Sequence, residues 1–241
     1  MKKTLSCLFI LFSLTCFAFG QEDNSGQKIF SVSKGIVRLD VFKNRGTFGI
    51  FVLPPESSAK AVLSSRNSFS STGFFLRSRK SVFQLNKDGG IPFVVTSFEK
   101  GAAITYSVKK NRVNADVKVS MEILSSVPEG QEDMLKFTVE TTNTGNEKQT
   151  FAIRGIFDTI LGELGYTDFS TAQIRKIDSE IQFDSMISDR WVISKNAVNS
   201  LQFLLSGRGI TSPKTVTLAN KDIITSGDWD GFYYQHIYFF C

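Results

Sequence analysis

The sequence predicts an all-β protein, a large antiparallel two-sheet sandwich with little helix. Apolar and polar residues alternate with a period of two in many segments of the chain, a pattern that buries one face of a strand and exposes the other. No segment shows the wider spacing of a long amphipathic helix. The 23 phenylalanines can fill the gap between two packed sheets, and 241 residues fit one such domain.

The first twenty residues have the order of a secretory signal peptide: two lysines, an apolar run over 5–19 and small residues before Gln21. This run is shorter than the roughly 20 residues that span a bilayer, and no later segment reaches that length. We therefore expect cleavage before Gln21, export to the periplasm or cell surface, and a single β-sandwich domain over 21–241 without a transmembrane segment. Acylation of Cys16, which would make a lipoprotein, is the less favoured alternative.

Charge, cysteine and histidine content argue against several classes of function. The leader carries two of the 28 Lys and Arg residues and none of the 23 Asp and Glu residues. The net charge of the mature chain is therefore about +3, too small to indicate nucleic-acid binding. After cleavage only Cys241 remains of three cysteines, so no internal disulfide can form. His236 is the only histidine, and its aromatic neighbours favour packing over catalysis. No glycine-rich phosphate loop occurs, and we expect neither a cofactor nor a metal.

Two strands are predicted at the start of the mature domain, after a polar arm over 21–27. Residues 37–41 alternate between apolar and charged side chains, and a second apolar segment covers 47–53. The two prolines that follow cannot continue a strand ladder, so they end this pair.

Residues 56–81 are rich in serine and basic side chains, and Glu56 is their one acidic residue. One interpretation is a long surface excursion that its aromatic residues attach to the sandwich. The other is a basic, aromatic face for an anionic partner such as a polysaccharide, membrane headgroups or peptidoglycan. We take Arg77, Arg79 and Lys80 as the best candidate partner surface. The apolar residues interleaved here are Phe69, Phe74, Phe75 and Leu76, and the other basic residues are Lys60 and Arg66.

The centre of the chain predicts a meander of antiparallel strands. Residues 102–108 and 113–123 alternate strictly across a short polar turn, which indicates a hairpin with one buried and one wet face. The segment 135–139 alternates in the same way, and 143–146 then supplies an Asn-Thr-Gly-Asn turn. Residues 149–157 are interpreted as its returning partner strand.

The remaining segments are shorter. Residues 171–177 are interpreted as a short helix or a loop. Further short strands are predicted over 181–186, 191–194, 201–206 and 215–218, separated by glycine and proline.

An uninterrupted aromatic and apolar run follows a turn at 227–231 and ends at Cys241. Two interpretations stay open. The run is either a last strand buried in the sandwich or the edge of an interrupted chain, which would self-associate through its exposed apolar residues.

The segment 151–163 is the candidate for a polar site, because charged residues lie among apolar ones. Arg154 and Asp158 flank one strand end and can pair, and Asp158 or Thr159 can cap the turn that follows. The alternative is a binding or acid/base site that includes Glu163 and Asp168, since two carboxylates in different environments can divide protonation roles. We take Arg154, Asp158 and Glu163 as further binding candidates and name no catalytic residue.

Residues 134–165 resemble a pattern of some exported bacterial β-sandwich proteins. In that pattern an Asn-Thr-Gly turn precedes an arginine-bearing strand that ends in Asp-Thr and then Gly. The residues that match are Asn143, Arg154, Asp158, Thr159 and Gly162. Those proteins are similar to the large sandwiches that accompany carbohydrate-active enzymes, and the resemblance implies a sandwich fold without implying any catalytic residue.

Together these features predict an exported, non-enzymatic β-sandwich of the bacterial envelope that binds or scaffolds a glycan or another envelope protein. The alternative is a carbohydrate-active enzyme, or its accessory domain, that uses carboxylates such as Asp158, Glu163 or Asp168 on one sheet face. Neither a catalytic triad nor a Cys-His arrangement is supported by the residues present.

Overall fold

Every regular element that the structure describes is a β-strand, so the predicted all-β class is confirmed. The computed structural model describes residues 26–55, 57–65, 69–161, 169–177, 179–184, 189–219 and 236–240, the last five and Ala219 by their main chain only. No helix in these ranges has the length and apolar character that crossing a bilayer requires. The strands are β1 (Lys28–Lys34), β2 (Val37–Phe42), β3 (Phe48–Val52), β4 (Lys60–Ala61), β5 (Gly73–Ser78), β6 (Ser81–Gln84), β7 (Phe93–Phe98), β8 (Gly101–Lys110), β9 (Val113–Ser125), β10 (Glu132–Asn143), β11 (Phe151–Asp158), β12 (Ser170–Thr171), β13 (Ile181–Phe183), β14 (Trp191–Lys195), β15 (Ser200–Leu204), β16 (Thr215–Ala219) and β17 (His236–Phe240).

These strands form four sheets. The first has the order β1-β2-β3-β4 and the second β10-β9-β8-β7. The third has the order β13-β16-β17-β11-β5-β6, and the fourth β12-β14-β15. The ladders are antiparallel except for those of β17, which runs parallel to both β11 and β16.

The predicted central hairpin is confirmed as β8 and β9. The two strands pair without a register shift from Gly101 opposite Glu122 to Lys110 opposite Val113. The strict alternation buries one face of β9 and exposes the other: its apolar side chains have no contact with solvent, while Lys118 between them is exposed. The fully buried residues of β9 are Val113, Ala115, Val117, Val119, Met121 and Ile123.

The predicted return of residues 149–157 as the partner of β10 is wrong. These residues form β11, which lies in the third sheet between β5 and β17. The physical reason is burial on both faces of the strand: all residues from Arg154 to Asp158 are buried, as is typical of strands in parallel ladders such as that of β11 with β17. The second sheet has one exposed face, on which Lys118 and its cross-strand partner Glu140 lie, so a strand added beside β10 would leave one face of β11 in water.

The interpretation of residues 56–81 as a surface excursion is also wrong for its second half. Residues 73–78 form β5, which pairs with β11 on one side and β6 on the other. Phe74 and Leu76 alternate into the core while Phe75 and Arg77 point to the other face, and Phe69 is buried before the strand begins. The apolar Phe75, which lies on the other face between Phe74 and Leu76, conceals that alternation in the sequence.

One open interpretation of the sequence, a helix or a loop at 171–177, is resolved. Residues 171–177 form a loop, in which the Thr171 hydroxyl accepts the main-chain N–H groups of Gln173 and Ile174 at 3.3 and 3.1 Å. The aromatic run before Cys241 contains β17, which lies between β16 and β11 in the third sheet. Cys241 lies outside the described residues.

All four sheets contribute to one group of rings, the phenylalanine cluster. It consists of Phe48 from β3, Phe74 from β5, Phe137 from β10, Phe157 from β11 and Phe203 from β15, with ring centroids 5.4–6.4 Å apart between neighbours. Tilted and edge-on geometries of this kind add to the free energy of burying the rings. The cluster therefore joins the sheets into one hydrophobic core.

Tyr106 predicts a specific response to alkaline pH. Its hydroxyl donates to the carbonyl oxygen of Gly46 at 2.7 Å, and burial raises the pKa of this phenol. Below its ordinary pKa of about 10 the neutral phenol is present in both states. Above that pH the unfolded chain ionises first, so stability is lost as the pH rises. We expect the free energy of unfolding to fall more steeply from about pH 8 to about pH 11 in the wild type than in Tyr106→Phe.

Urea unfolding of both proteins at the two pH values measures this difference. At the lower pH, Tyr106→Phe should be less stable by about 1 kcal/mol, because the Gly46 carbonyl loses its donor. Parallel losses in the two proteins would show that Tyr106 does not titrate in the expected way.

Candidate functional site

Arg154 and Asp158 both lie on β11, but they do not form the predicted ion pair. They share one face of the strand four residues apart, which separates them by about 13 Å along the strand. Arg154 is 4% exposed, and its guanidinium carbon lies 4.3 Å from the ring centroid of Phe75, its cross-strand neighbour. Asp158 is 2% exposed, and its main-chain N–H donates to the Thr72 hydroxyl at 3.0 Å. Arg154 thus makes a cation–π contact with Phe75 across the ladder of β11 and β5.

The other candidates of this segment have structural roles or lie outside the described residues. The hydroxyl groups of Thr159 and Ser194 are 3.1 Å apart and fully buried, so they connect the end of β11 to β14. Glu163, Asp168 and the glycine of the resemblance, Gly162, are not among the described residues. In the ranges that the structure describes, no three His, Cys, Asp or Glu side chains are grouped as metal ligands would be.

Three chain reversals meet at one end of the molecule, and the residue that joins them is Gln149. Its side-chain amide donates to the carbonyl oxygen of Arg112 in the β8–β9 turn at 2.8 Å. Its side-chain oxygen accepts the hydroxyl of Ser78 at the β5–β6 turn, at 3.3 Å. Arg79 of that turn also forms an ion pair of 2.5 Å with Glu147 of the β10–β11 connection. We call the cations brought together here the basic turn surface: Arg77, Arg79, Lys80, Lys109, Lys110, Arg112 and Lys148.

The basic turn surface has a strong excess of positive charge. Glu147 is the one carboxylate within residues 77–81, 109–112 and 143–150, against seven cations. Six of these cations are exposed, and Arg77 is half-buried. The Arg79–Glu147 pair is itself exposed on both sides, so it contributes little to stability. The formal charge of this end is thus about +6, similar to that of the whole chain.

Two arginines of this surface occupy a backbone conformation that disfavours them. Arg79 has a φ of 55°, and the two residues at the tip of the β8–β9 turn, Asn111 and Arg112, have φ of 53° and 60°. Two-residue hairpin loops with positive φ at both positions favour Asn-Gly, because glycine lacks the Cβ that clashes there. An arginine in the glycine position costs about 1 kcal/mol. Strained backbone of this kind clusters at ligand-binding sites in proteins.

The basic turn surface includes the three residues that the sequence predicts as a partner surface, Arg77, Arg79 and Lys80. Their role in binding a partner stays a prediction. Residues 109–112 were predicted only as a turn, and Lys148 was not singled out. The predicted aromatic component is wrong, because Phe69 and Phe74 are buried in the core. Only Phe75, under Arg154, is half-buried on the face that Arg77 shares.

Comparison of the chain with protein-family models, with curated proteins and with solved structures finds no match. The chemistry of the basic turn surface is therefore the basis on which a function is proposed.

Proposed function

We propose that this protein is an exported, non-enzymatic β-sandwich of the bacterial envelope that binds an acidic glycan through the basic turn surface. The proposal depends on one observation: contacts of Gln149 and Glu147 hold three turns together, and these turns carry seven cations at one end of the molecule. A surface with charges of one sign attracts anions over several ångströms, and added salt weakens this attraction. An envelope polymer with carboxylate, phosphate or sulfate groups has the complementary charge.

Uncharged polar side chains between the cations suit a hydroxyl-rich ligand. Asn111, Thr144 and Asn146 are exposed on the same turns. Amide and hydroxyl groups both donate and accept hydrogen bonds, as sugar hydroxyls do. The turns belong to strands of a well-packed core, so the cations are held on a rigid support.

The alternative function, a carbohydrate-active enzyme, would depend on carboxylates at the end of β11. Of the three that the sequence suggests, only Asp158 is described, and its side chain is 2% exposed. A general acid or base must come within hydrogen-bonding distance of its substrate. Burial of this kind favours a structural carboxylate over a reacting one.

Neutralising lysines of the surface is expected to weaken binding to an acidic polysaccharide. The variant carries Lys80→Gln, Lys110→Gln and Lys148→Gln, all at exposed positions. We expect affinity for polygalacturonate to fall about tenfold at low salt, at about 0.5 kcal/mol for each exposed charge contact. Surface plasmon resonance on immobilised polygalacturonate, with uncharged dextran as the reference surface, measures this loss and its dependence on salt.

A matched control removes the same charge elsewhere. Lys60→Gln, Lys136→Gln and Lys195→Gln change three exposed lysines outside the basic turn surface. This control should keep wild-type affinity and salt dependence. Equal weakening in both variants would show that net charge, and not this surface, attracts the polymer. Equal binding of the wild type to poly-L-glutamate would contradict the assignment to a glycan.

Arg112→Gly separates stability from binding at the tip of the β8–β9 turn. Because glycine relieves the positive φ, the free energy of unfolding should rise by about 1 kcal/mol. Binding to polygalacturonate should weaken at the same time, because one exposed cation is lost. If the variant is more stable and binds equally well, Arg112 does not take part in binding.

A further inference from the structure

Strand β7 is a sheet edge without the features that normally protect one. It ends the second sheet, so in the described part of the chain its outer side has no partner strand. Its sequence, Phe-Val-Val-Thr-Ser-Phe, has no charge, proline or glycine, and its ladder with β8 has no bulge. Protected edges are short, charged, bulged or interrupted by proline. Regular, uncharged edges of six residues pair readily with another strand.

The main chain of β7 directs its free hydrogen-bonding groups outward at odd-numbered residues. The carbonyl of Pro92 accepts the N–H of Ser107 in β8 at 2.9 Å, so even-numbered residues of this strand face β8. Because these directions alternate in an antiparallel ladder, Phe93, Val95 and Ser97 present their N–H and C=O groups to the open edge.

The exposed side chains of β7 are self-complementary. Val94 and Phe98 are 37% and 41% exposed, and they share the outer face with exposed Thr96. If two copies of the strand pair antiparallel about Thr96, Val94 of each copy lies directly opposite Phe98 of the other. These are the pairs without hydrogen bonds, in which side chains approach most closely. The same register pairs the outward groups of Val95 with those of Ser97.

We propose that β7 joins two copies of this protein, edge to edge, into a dimer in which the second sheet continues from one protomer to the other. Thr96 lies on the two-fold axis of this dimer, opposite its own copy. The absence of charge in the strand means that pairing it with itself places no like charges together. An interface of one strand pair is smaller than a standard interface, so the dimer depends on protein concentration.

Other edges of the described sheets fit this role less well. β1 carries Lys28 and Lys34 at its ends, and β10 carries charged residues along its length. β15 is uncharged, but its outer face presents Ser200 and Gln202 beside Leu204 and has no matching apolar pair. β4, β6, β12 and β13 have four residues or fewer.

Thr96→Lys is expected to abolish the dimer, because it places two ammonium groups opposite each other on the axis. Sedimentation velocity across a concentration series should show a dimer for the wild type and a monomer for this variant. Thr138→Lys is the matched control, since Thr138 is an exposed threonine on the edge strand β10. It should dimerise as the wild type does.

A second variant, Thr96→Glu, tests the register in which the two strands pair. On its own it should be monomeric, because two carboxylates would then lie opposite each other. A mixture of Thr96→Lys and Thr96→Glu proteins should form dimers again, since unlike charges then meet on the axis. A monomeric wild type, or a dimer that Thr96→Lys leaves intact, would overturn the proposal. Failure of the mixture to associate would overturn pairing about Thr96. None of these outcomes depends on binding by the basic turn surface.

Discussion

Gly101→Ala should lower the free energy of unfolding by about 4 kcal/mol or more. Gly101 begins β8, and a Cβ added there would lie 1.9 Å from the carbonyl oxygen of Met121 in β9. It would also lie 2.9 Å from the ring of Phe98. A main-chain atom cannot move aside as the end of a flexible side chain can, so the variant must separate β8 from β9. Urea unfolding at neutral pH measures the loss.

Gly89→Ala is the matched control, because a Cβ at Gly89 has no neighbour within 4 Å. We expect a change within about 0.5 kcal/mol, or a slight gain from the reduced entropy of the unfolded chain. Equal losses in the two variants would indicate that glycine's backbone freedom, and not close approach of β9, determines the effect.

Phe74→Ala should destabilise the protein by about 3 to 5 kcal/mol. Phe74 lies at the centre of the phenylalanine cluster, with its ring centroid 5.9 Å from those of Phe137 and Phe157 and 6.4 Å from that of Phe48. Truncation removes the ring from between strands of three sheets and leaves a cavity that those strands cannot close. Thermal and urea unfolding measure the loss.

Phe74→Leu provides a graded comparison, because leucine fills part of the volume of the ring and should cost less than the alanine variant. Val82→Ala, at an exposed position on β6, controls for a change in the same sheet and should be close to neutral. A mild effect of Phe74→Ala, close to that of Val82→Ala, would contradict the central position of this ring.

The all-β class and the β8–β9 hairpin were predictable from the sequence because both depend on local patterns. The period of two along residues 113–123 determines which side chains are buried, whichever sheets later meet. The partner of β11 was not predictable in this way. Its two neighbours, β5 and β17, lie far from it along the chain in opposite directions, and nothing in the alternation of 151–158 specifies that these two strands are its partners.

The basic turn surface was partly predictable for the same reason. Arg79 and Lys80 lie in a segment whose composition is visibly basic, and Arg112 lies in a predicted turn. Their proximity depends on Gln149, which reaches both turns only because β11 leaves the second sheet to pair with β5. If residues 149–157 paired with β10, as the sequence predicts, these turns would not lie together.

The position of β17 determines when the third sheet can complete its folding. β17 lies between β11 and β16 and pairs with both, and its residues follow those of β11 by about 80 positions. In a nascent chain that lacks β17, the edges of β11 and β16 have unpaired main-chain groups. The third sheet therefore forms completely only after synthesis has passed His236.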